Sequence, residues 1–263
     1  MRFRRIEHGA VDSTSERAFA ALADRTAQHG DVHLATSQSA GRGRRGRRWW
    51  SPPEEGLYAS LVLLPAPPPP HSAALTMAGG LAVLDAVRAL GLREAHLDWP
   101  NDVMAGPAKL AGILVETRGF DPHAPHYVVG IGLNVAQREF PAELRGERAV
   151  ASLRSLGLET GLEAAREAVL ASLARRLDQL EHEVDALAAD YLVGTGLRDR
   201  RVRVRFGEEE LLGNLDDLTI ADGVVVRGLD GSARTLPLEI VRELAASLVS
   251  SPPEIPDAPT RRP

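Results

Sequence analysis

The sequence predicts an α+β protein: a mixed sheet flanked by helices, with a small β-barrel appended at the C-terminus. Three observations carry that expectation. Up to about residue 195, apolar strand-like runs alternate with alanine- and leucine-rich helical stretches. After Gly194-Thr195-Gly196 the character changes to short strands separated by tight turns such as Asp222-Gly223 and Asp230-Gly231. The chain then closes on SPPEIPDAPTRRP, whose proline content predicts disorder. Domains are therefore expected at 1–195 and 196–248, with a disordered tail at 249–263. No internal repeat is visible.

At 263 residues the chain can bury a substantial core. Its 44% hydrophobic and 25% charged content is ordinary for a globular protein. With no cysteine there is no disulfide, thiolate nucleophile or zinc–cysteine site. No apolar run reaches the roughly 20 residues that a membrane helix needs, and MRFRRIEHGA lacks the apolar core of a signal peptide. A cytoplasmic protein is expected. Lysine usage is the sharpest compositional fact: of 31 lysines and arginines, only Lys109 is a lysine. Arginine cannot replace lysine where a compact point charge or a deprotonatable amine is needed. A lone surface lysine is the plainer alternative. Asparagine is scarce as well, confined to Asn101, Asn134 and Asn214.

In chain order, Ser13-Thr14-Ser15-Glu16 reads as a capping box opening a helix to about Gln28, which Gly30 ends. Residues 32–37, VHLATS, read as a short strand that delivers Gln38 into the loop GRGRRGRRWW at 41–50. A strand, LYASLVLL at 57–64, leaves the loop, and Pro65 with the prolines of 67–70 makes a stiff polyproline connector. Residues 72–90 are helical by composition, and Gly91 stops them. Trp99-Pro100-Asn101-Asp102 forces one turn and Gly106-Pro107 another, so 97–116 reads as strand, turn, strand. Such a hairpin lets Asp102 and Lys109 face one pocket. YVVGIGLNV at 127–135 is an apolar strand interrupted by Gly130 and Gly132. It lacks the third glycine and following helix of a dinucleotide fingerprint, so its glycines mark a bulge or a close ligand approach. Asn134 at its end could meet a ribose or a phosphate. Residues 162–192 show helical spacing with a break near Glu181 or Glu183, and the barrel strands fall at 201–206, 211–215, 224–227 and 234–238.

The chemistry centres on 41–50. Arg42, Arg44, Arg45, Arg47 and Arg48 are set among Gly41, Gly43 and Gly46 in a chain whose formal net charge is −5. Glycine lets a backbone approach a ligand closely, and arginine presents a planar fork that matches phosphate and carboxylate. A loop that closes over an anion needs this composition. A solvated basic loop or an RG-rich nucleic-acid patch would share it. Asp102 could hold Mg²⁺ or orient a lysine, and Lys109 could neutralise a phosphate. They could equally be a turn residue and a strand end.

STSE at 13–16, QSAGRGRRGRRW at 38–49, DWPNDVMAGPAKLAGILVE at 98–116 and GIGLNV at 130–135 stand in one order. That order resembles the biotin–protein ligases, over residues 11 to about 240. The resemblance implies a class II synthetase-like catalytic domain at 1–195 and an SH3-like form for the barrel. It also implies a reaction in two steps. ATP, with Mg²⁺, converts biotin to biotinyl-5′-AMP, and a lysine of a biotin carboxyl carrier protein domain then displaces AMP. Residue by residue, Ser13, Thr14 and Gln38 would bind the ureido ring of biotin, with Ser15 standing where the family commonly has asparagine. Arg42, Gly43 and Arg44 would close on biotin and the adenylate. Lys109 would contact the biotin carboxylate and the α-phosphate, while Arg47, Trp49, Asn101, Asp102 and Asn134 would serve ATP. Lys109, Arg44 and Asp102 form the catalytic set, with Asp102 the candidate for Mg²⁺. Asp98 stands where the family commonly has lysine, which removes a cation from the rim. Only 12 residues precede Ser13, too few for the winged-helix domain of some members, so DNA is not an expected partner, and the lack of a membrane-length apolar run removes a membrane as well. A homodimer is left open.

Two competitors follow. A lipoate–protein ligase shares the fold and the chemistry, and the arginine loop joined to KLAGILVE favours biotin. An RG-loop nucleic-acid module predicts basic surface beyond the loop and a steep salt dependence, which the sequence pI of about 5.9 opposes.

Overall fold

Seven strands of the N-terminal portion assemble into one mixed sheet, in the computed structural model that describes residues 1–65, 71–119, 121, 123–145, 149–228 and 230–247. They are β1 (Arg4–Val11), β2 (Asp31–Gln38), β3 (Gly56–Leu63), β4 (Ala95–Asp98), β5 (Asp102–Ala105), β6 (Ala108–Glu116) and β7 (Tyr127–Asn134). Their spatial order is β1-β2-β3-β7-β6-β5-β4, with β1 and β2 parallel and the remaining neighbours antiparallel. β1 was not expected from the sequence. It is an edge strand of mixed polarity, and its partner lies 27 residues away, at Arg4–Asp31.

Side-chain alternation divides the sheet into two faces. Val62 and Val128 pack under Ala18 and Phe19 of α1 (Thr14–Ala23), whereas Leu61, Leu63, Tyr127 and Val129 point into the main core. That core is covered by α2 (Ser72–Ala89), α3 (Leu162–His182) and α4 (Val184–Thr195). α2 has a mean hydropathy of 1.2 over 18 residues and is 67% buried, so its apolar character is that of a helix enclosed by the sheet and α3. The long helical stretch breaks at Glu183, as its spacing suggested.

α1 is shorter than the expected run to Gln28. Ser13 stands at its N-cap in extended conformation, but its side chain makes no capping hydrogen bond, and Glu16 turns to Arg42 and Arg118 instead. The capping-box reading is thereby corrected: tertiary ion pairs take the carboxylate that local capping would have used. Because α1 is short, it leaves part of its sheet face open. Ser60, Gly130, Gly132 and Asn134 continue the alternation of Val62 and Val128 onto that open part.

The C-terminal portion forms a second, antiparallel sheet of β8 (Arg201–Phe206), β9 (Glu209–Thr219), β10 (Gly223–Gly228), β11 (Ala233–Leu236) and β12 (Val241–Ala246). Its order is β11-β10-β9-β8-β12. β12 was missed because VRELAA has helical propensity, which pairing with β8 overrides. The two sheets share one buried cluster: Leu97, Trp99 and Tyr191 belong to it together with Val202, Leu215 and Leu244. The indole Nε1 of Trp99 donates to Val241 O at 3.0 Å. Most of the expected polyproline connector (66–70) and the whole of the proline-rich tail (249–263) lie outside the described residues.

Candidate active site

Residues 41–50 form a narrow hairpin between β2 and β3. Trp49 N donates to Gly41 O at 2.9 Å and Gly43 N to Arg47 O at 2.7 Å. The tip turns through left-handed conformations at Arg45 (φ 57) and Gly46 (φ 73). The arginines disperse to different acceptors. Arg42 pairs with Glu16 and, at 3.0 Å, with Glu116. Arg44 Nη1 donates to Asn101 Oδ1 at 3.2 Å, and Arg48 to Ser39 O at 2.8 Å. Burial, and then the neighbouring charge of Arg45, lower the pKa of the Arg44 guanidinium. The Glu16 carboxyl is held below its ordinary range, first by its hydrogen bonds from Arg118.

On the sheet below, Ser60 is a hydroxyl in the middle of an otherwise apolar strand. Its Oγ lies 2.8 Å from Thr14 Oγ1 and 3.1 Å from Ser15 Oγ. Gln38 Oε1 accepts from Thr14 N at 2.9 Å, and Gln38 Nε2 donates to Ser51 Oγ at 2.8 Å. Ser13, Thr14 and Ser15 are all buried. This gives a compact cluster of hydroxyl and amide groups beside Gly130, where Ser15 Oγ would lie 3.4 Å from an added methyl.

Lys109 reaches the same face by an irregularity. In regular register β6 would point it away from the side that carries Gly112. The register between β5 and β6 slips between Val103 and Met104, and this bulge turns Lys109 onto the Gly112 face. Its Nζ there lies 2.7 Å from Asp102 Oδ1 and 5.5 Å from the centroid of Trp49. Asn101 Nδ2 donates to Ile113 O at 2.9 Å, which aims its oxygen at Arg44. Asn134 is buried, donating to Ala151 O at 3.0 Å and accepting from Gln137 at 3.3 Å.

All thirteen residues singled out from the sequence line one cavity of about 620 Å³. Sequence reasoning missed several others there: Ser60, Gly112 and Phe140, and Arg242 and Glu243 from β12. Ser60 had a legible signal, a lone serine in LYASLVLL. Arg242 and Glu243 had none, because they arrive from another sheet. Among the described residues, no group of three or more His, Asp or Glu is placed to hold a metal by itself.

Residues 9–134 match the model of the Biotin/lipoate A/B protein ligase family. The chain is 36% identical over 217 residues to the biotin–[acetyl-CoA-carboxylase] ligase of Mycobacterium tuberculosis, covering 79% of this chain and 76% of that protein. It is 34% identical over 211 residues to the bifunctional ligase/repressor BirA of Escherichia coli, covering 77% of this chain and 63% of that protein. It therefore spans less than two thirds of the length of BirA. Its backbone superposes on the biotin protein ligase of Aquifex aeolicus, solved in complex with biotin and ATP, with a TM-score of 0.76 at 27% identity, over 92% of this chain and 99% of that one. The cavity thus lies on a biotin protein ligase fold, and the chain belongs to the biotin/lipoate A/B protein ligase family.

Proposed function

We propose that this chain joins biotin to ATP and transfers the biotinyl group to a lysine of a biotin carboxyl carrier protein domain. One observation carries the reading: a neutral hydrogen-bonding cluster and a pair of convergent cations share a single cavity, in order along β7. Thr14, Ser15, Gln38 and Ser60 stand beside Gly130, and Lys109 stands beside Gly112, the register partner of Gly132. Residues two apart on a strand lie about 7 Å apart on one face. The cluster suits the ureido ring of biotin, whose carbonyl and N–H groups need donors and acceptors. The cations suit its carboxylate and the α-phosphate of ATP.

A carboxylate does not acylate an amine at neutral pH. In the first step a biotin carboxylate oxygen attacks the α-phosphorus, and the bond to pyrophosphate breaks. Two anions approach each other in that step, so neutralising charge is the main catalytic requirement. Lys109, held by Asp102, and Arg44, held by Asn101, supply it. In the second step the acceptor amine attacks the acyl carbon, AMP leaves with the bonding electrons, and the amine loses a proton. Arg42, Gly43, Arg47 and Trp49 enclose the adenylate between the steps, and Asn134 closes the nucleotide end.

Mg²⁺ fits this wall as a companion of the triphosphate. It commonly binds through one or two carboxylates plus phosphate oxygens, and Asp102 is a carboxylate on the cavity wall. When bound there it would offset charge on the phosphate oxygens. We assign 1–195 as the catalytic domain and 196–248 as the appended one, of SH3-like type, the boundary following from Gly196, which ends α4 in a left-handed conformation. Dependence on ATP and on a carrier domain points to a reaction in the cytoplasm.

Biotin-dependent exchange of labelled pyrophosphate into ATP tests the first step without the acceptor. Exchange with biotin and none with lipoate is the expected result. Exchange with lipoate alone would move the assignment to a lipoate ligase.

A further inference from the structure

We infer that Gly112 and Gly132 form a seat for the Trp49 indole, and that Gly132 is a positioning residue acting on the ligand through Trp49. The inference rests on the reading of the cavity given above. The two glycines are register partners across β6 and β7, so two missing side chains leave one shallow slot on the cavity face. The indole lies in that slot. A methyl added at Gly132 would stand 2.6 Å from Trp49 Nε1 and 2.8 Å from Cζ2, with Cε2 closer still, and one at Gly112 would stand 3.2 Å from Cζ3. Neither glycine has a positive φ, so space and not backbone conformation demands glycine at both positions.

Gly130, two residues earlier on the same face, differs. Its nearest neighbours would be Leu114 O and Ser15 Oγ, both at 3.4 Å, an ordinary contact that leaves the floor open to a ligand. The glycines that read from the sequence as a bulge or a ligand approach therefore serve different ends: Gly130 leaves room, and Gly132 holds a side chain of the protein itself. The edge that enters the slot carries Nε1, which among the described residues is buried without a hydrogen-bond acceptor. Trp49 consequently presents ring carbons to the cavity and keeps its N–H out of ligand recognition. With Lys109 Nζ 5.5 Å from the ring centroid, the seat also sets the spacing between the aromatic wall and the catalytic charge.

A double-mutant cycle over Gly132→Ala and Trp49→Phe tests the seat. Ordinary carbon contacts need about 3.5 Å, so Gly132→Ala must push the indole roughly 1 Å into the cavity. Apparent KM for ATP or biotin in the pyrophosphate-exchange assay should rise about tenfold, with little change in melting temperature. Trp49→Phe, lacking the inserted edge, should weaken the parent yet restore most of the loss in the Gly132→Ala background. Losses that merely add, or a Gly132→Ala enzyme with parental constants, would overturn the seat. So would a large unrescued drop in melting temperature. A second readout needs no catalysis: the emission of Trp49, taken as the difference between each protein and its Trp49→Phe counterpart, should shift to the red with Gly132→Ala. An unmoved emission overturns the proposal even if the parent shows no biotin-dependent exchange, an outcome that would instead strike the functional reading.

Discussion

Lys109 owes its position to a backbone irregularity and its partner to a neighbouring strand. The bulge between β5 and β6 brings its ammonium to Asp102 at 2.7 Å, beside Gly112 and Trp49. Losing one such electrostatic donor commonly lowers a rate by a factor of about 10² to 10³, the loss expected for Lys109→Ala in single-turnover adenylation. Lys109→Arg should not restore it, because a planar fork cannot occupy the space of a compact ammonium wedged between a glycine and an indole. Near-parental rates in Lys109→Arg would remove Lys109 from the catalytic set. A second residue-scale expectation concerns His33, which is 2% exposed and stacks on His8 with ring centroids 5.3 Å apart. Burial first, and then the charge of His8, push its pKa down to about 4. In the unfolded chain the value is about 6.5. Between those values the unfolded chain binds a proton that the folded one refuses, so stability is complete above the window and falls as pH drops through it. The melting temperature should decline from pH 7 to pH 5, and His33→Gln should flatten the decline; an unchanged slope would count against His33 as its source.

The hairpin at 41–50 and helix α1 decide together what the arginines can do. Five like charges this close repel one another, yet Arg42, Arg44 and Arg48 each find acceptors on different elements, at Glu16 and Glu116, at Asn101, and at Ser39. The hairpin is tied at its base and stem, with Arg44 near the tip reaching toward β5 and β6. Arg44→Gly should therefore leave adenylation measurable but let biotinyl-AMP escape, so that free adenylate accumulates in solution. Equal retention by variant and parent would refute that role. The start of α1 offers a sharper discrimination. Loss of a capping side chain typically costs about 1 kcal/mol. Since the Ser13 side chain makes no capping bond, Ser13→Ala should cost well below that and raise the KM for biotin instead. Thermal melts and exchange kinetics on the same variant separate the two possibilities.

At the scale of the whole molecule, the second sheet is tied into the first. Removing 196–247 would take away part of the shared buried cluster and leave the Trp99 indole without Val241 O. A chain truncated after Thr195 should melt at a lower temperature than the parent, besides losing Arg242 and Glu243 from the cavity wall. An unchanged melting temperature would show that the shared core contributes nothing to the larger sheet. Lysine usage has a consequence at the same scale. Escaping biotinyl-AMP acylates accessible amines, and this chain offers one lysine, engaged with Asp102, and its N-terminal amine. Mass spectrometry of the Arg44→Gly enzyme incubated with biotin, ATP and a lysine-rich bystander should find label on the bystander, with self-label confined to Met1 and Lys109. Acylation at other positions of the chain would overturn this.

What the sequence determined by itself was whatever rests on residue identity and short spacing. The arginine–glycine loop, the solitary Lys109, the turn at Trp99-Pro100-Asn101-Asp102 and the glycine-interrupted strand at 127–135 each announce chemistry or backbone behaviour that local physics dictates. Those features hold nine of the thirteen expected residues that line the cavity, and the helices and most strands were legible beside them, whereas Ser13, Thr14, Ser15 and Gln38 entered only with the family resemblance. The tertiary structure alone decided matters that depend on pairing partners distant in the chain. β1 and β12 exist because β2 and β8 complete their hydrogen bonds, not because their own sequences favour strands. The Ser13 side chain makes no capping bond, and Glu16, the other half of the expected box, is claimed by Arg42 and Arg118. Ser60, Arg242 and Glu243 join the site only through sheet geometry, and the slot for Trp49 appears only when register sets Gly112 opposite Gly132. Register is a property of two strands at once, so neither strand, read alone, contains it.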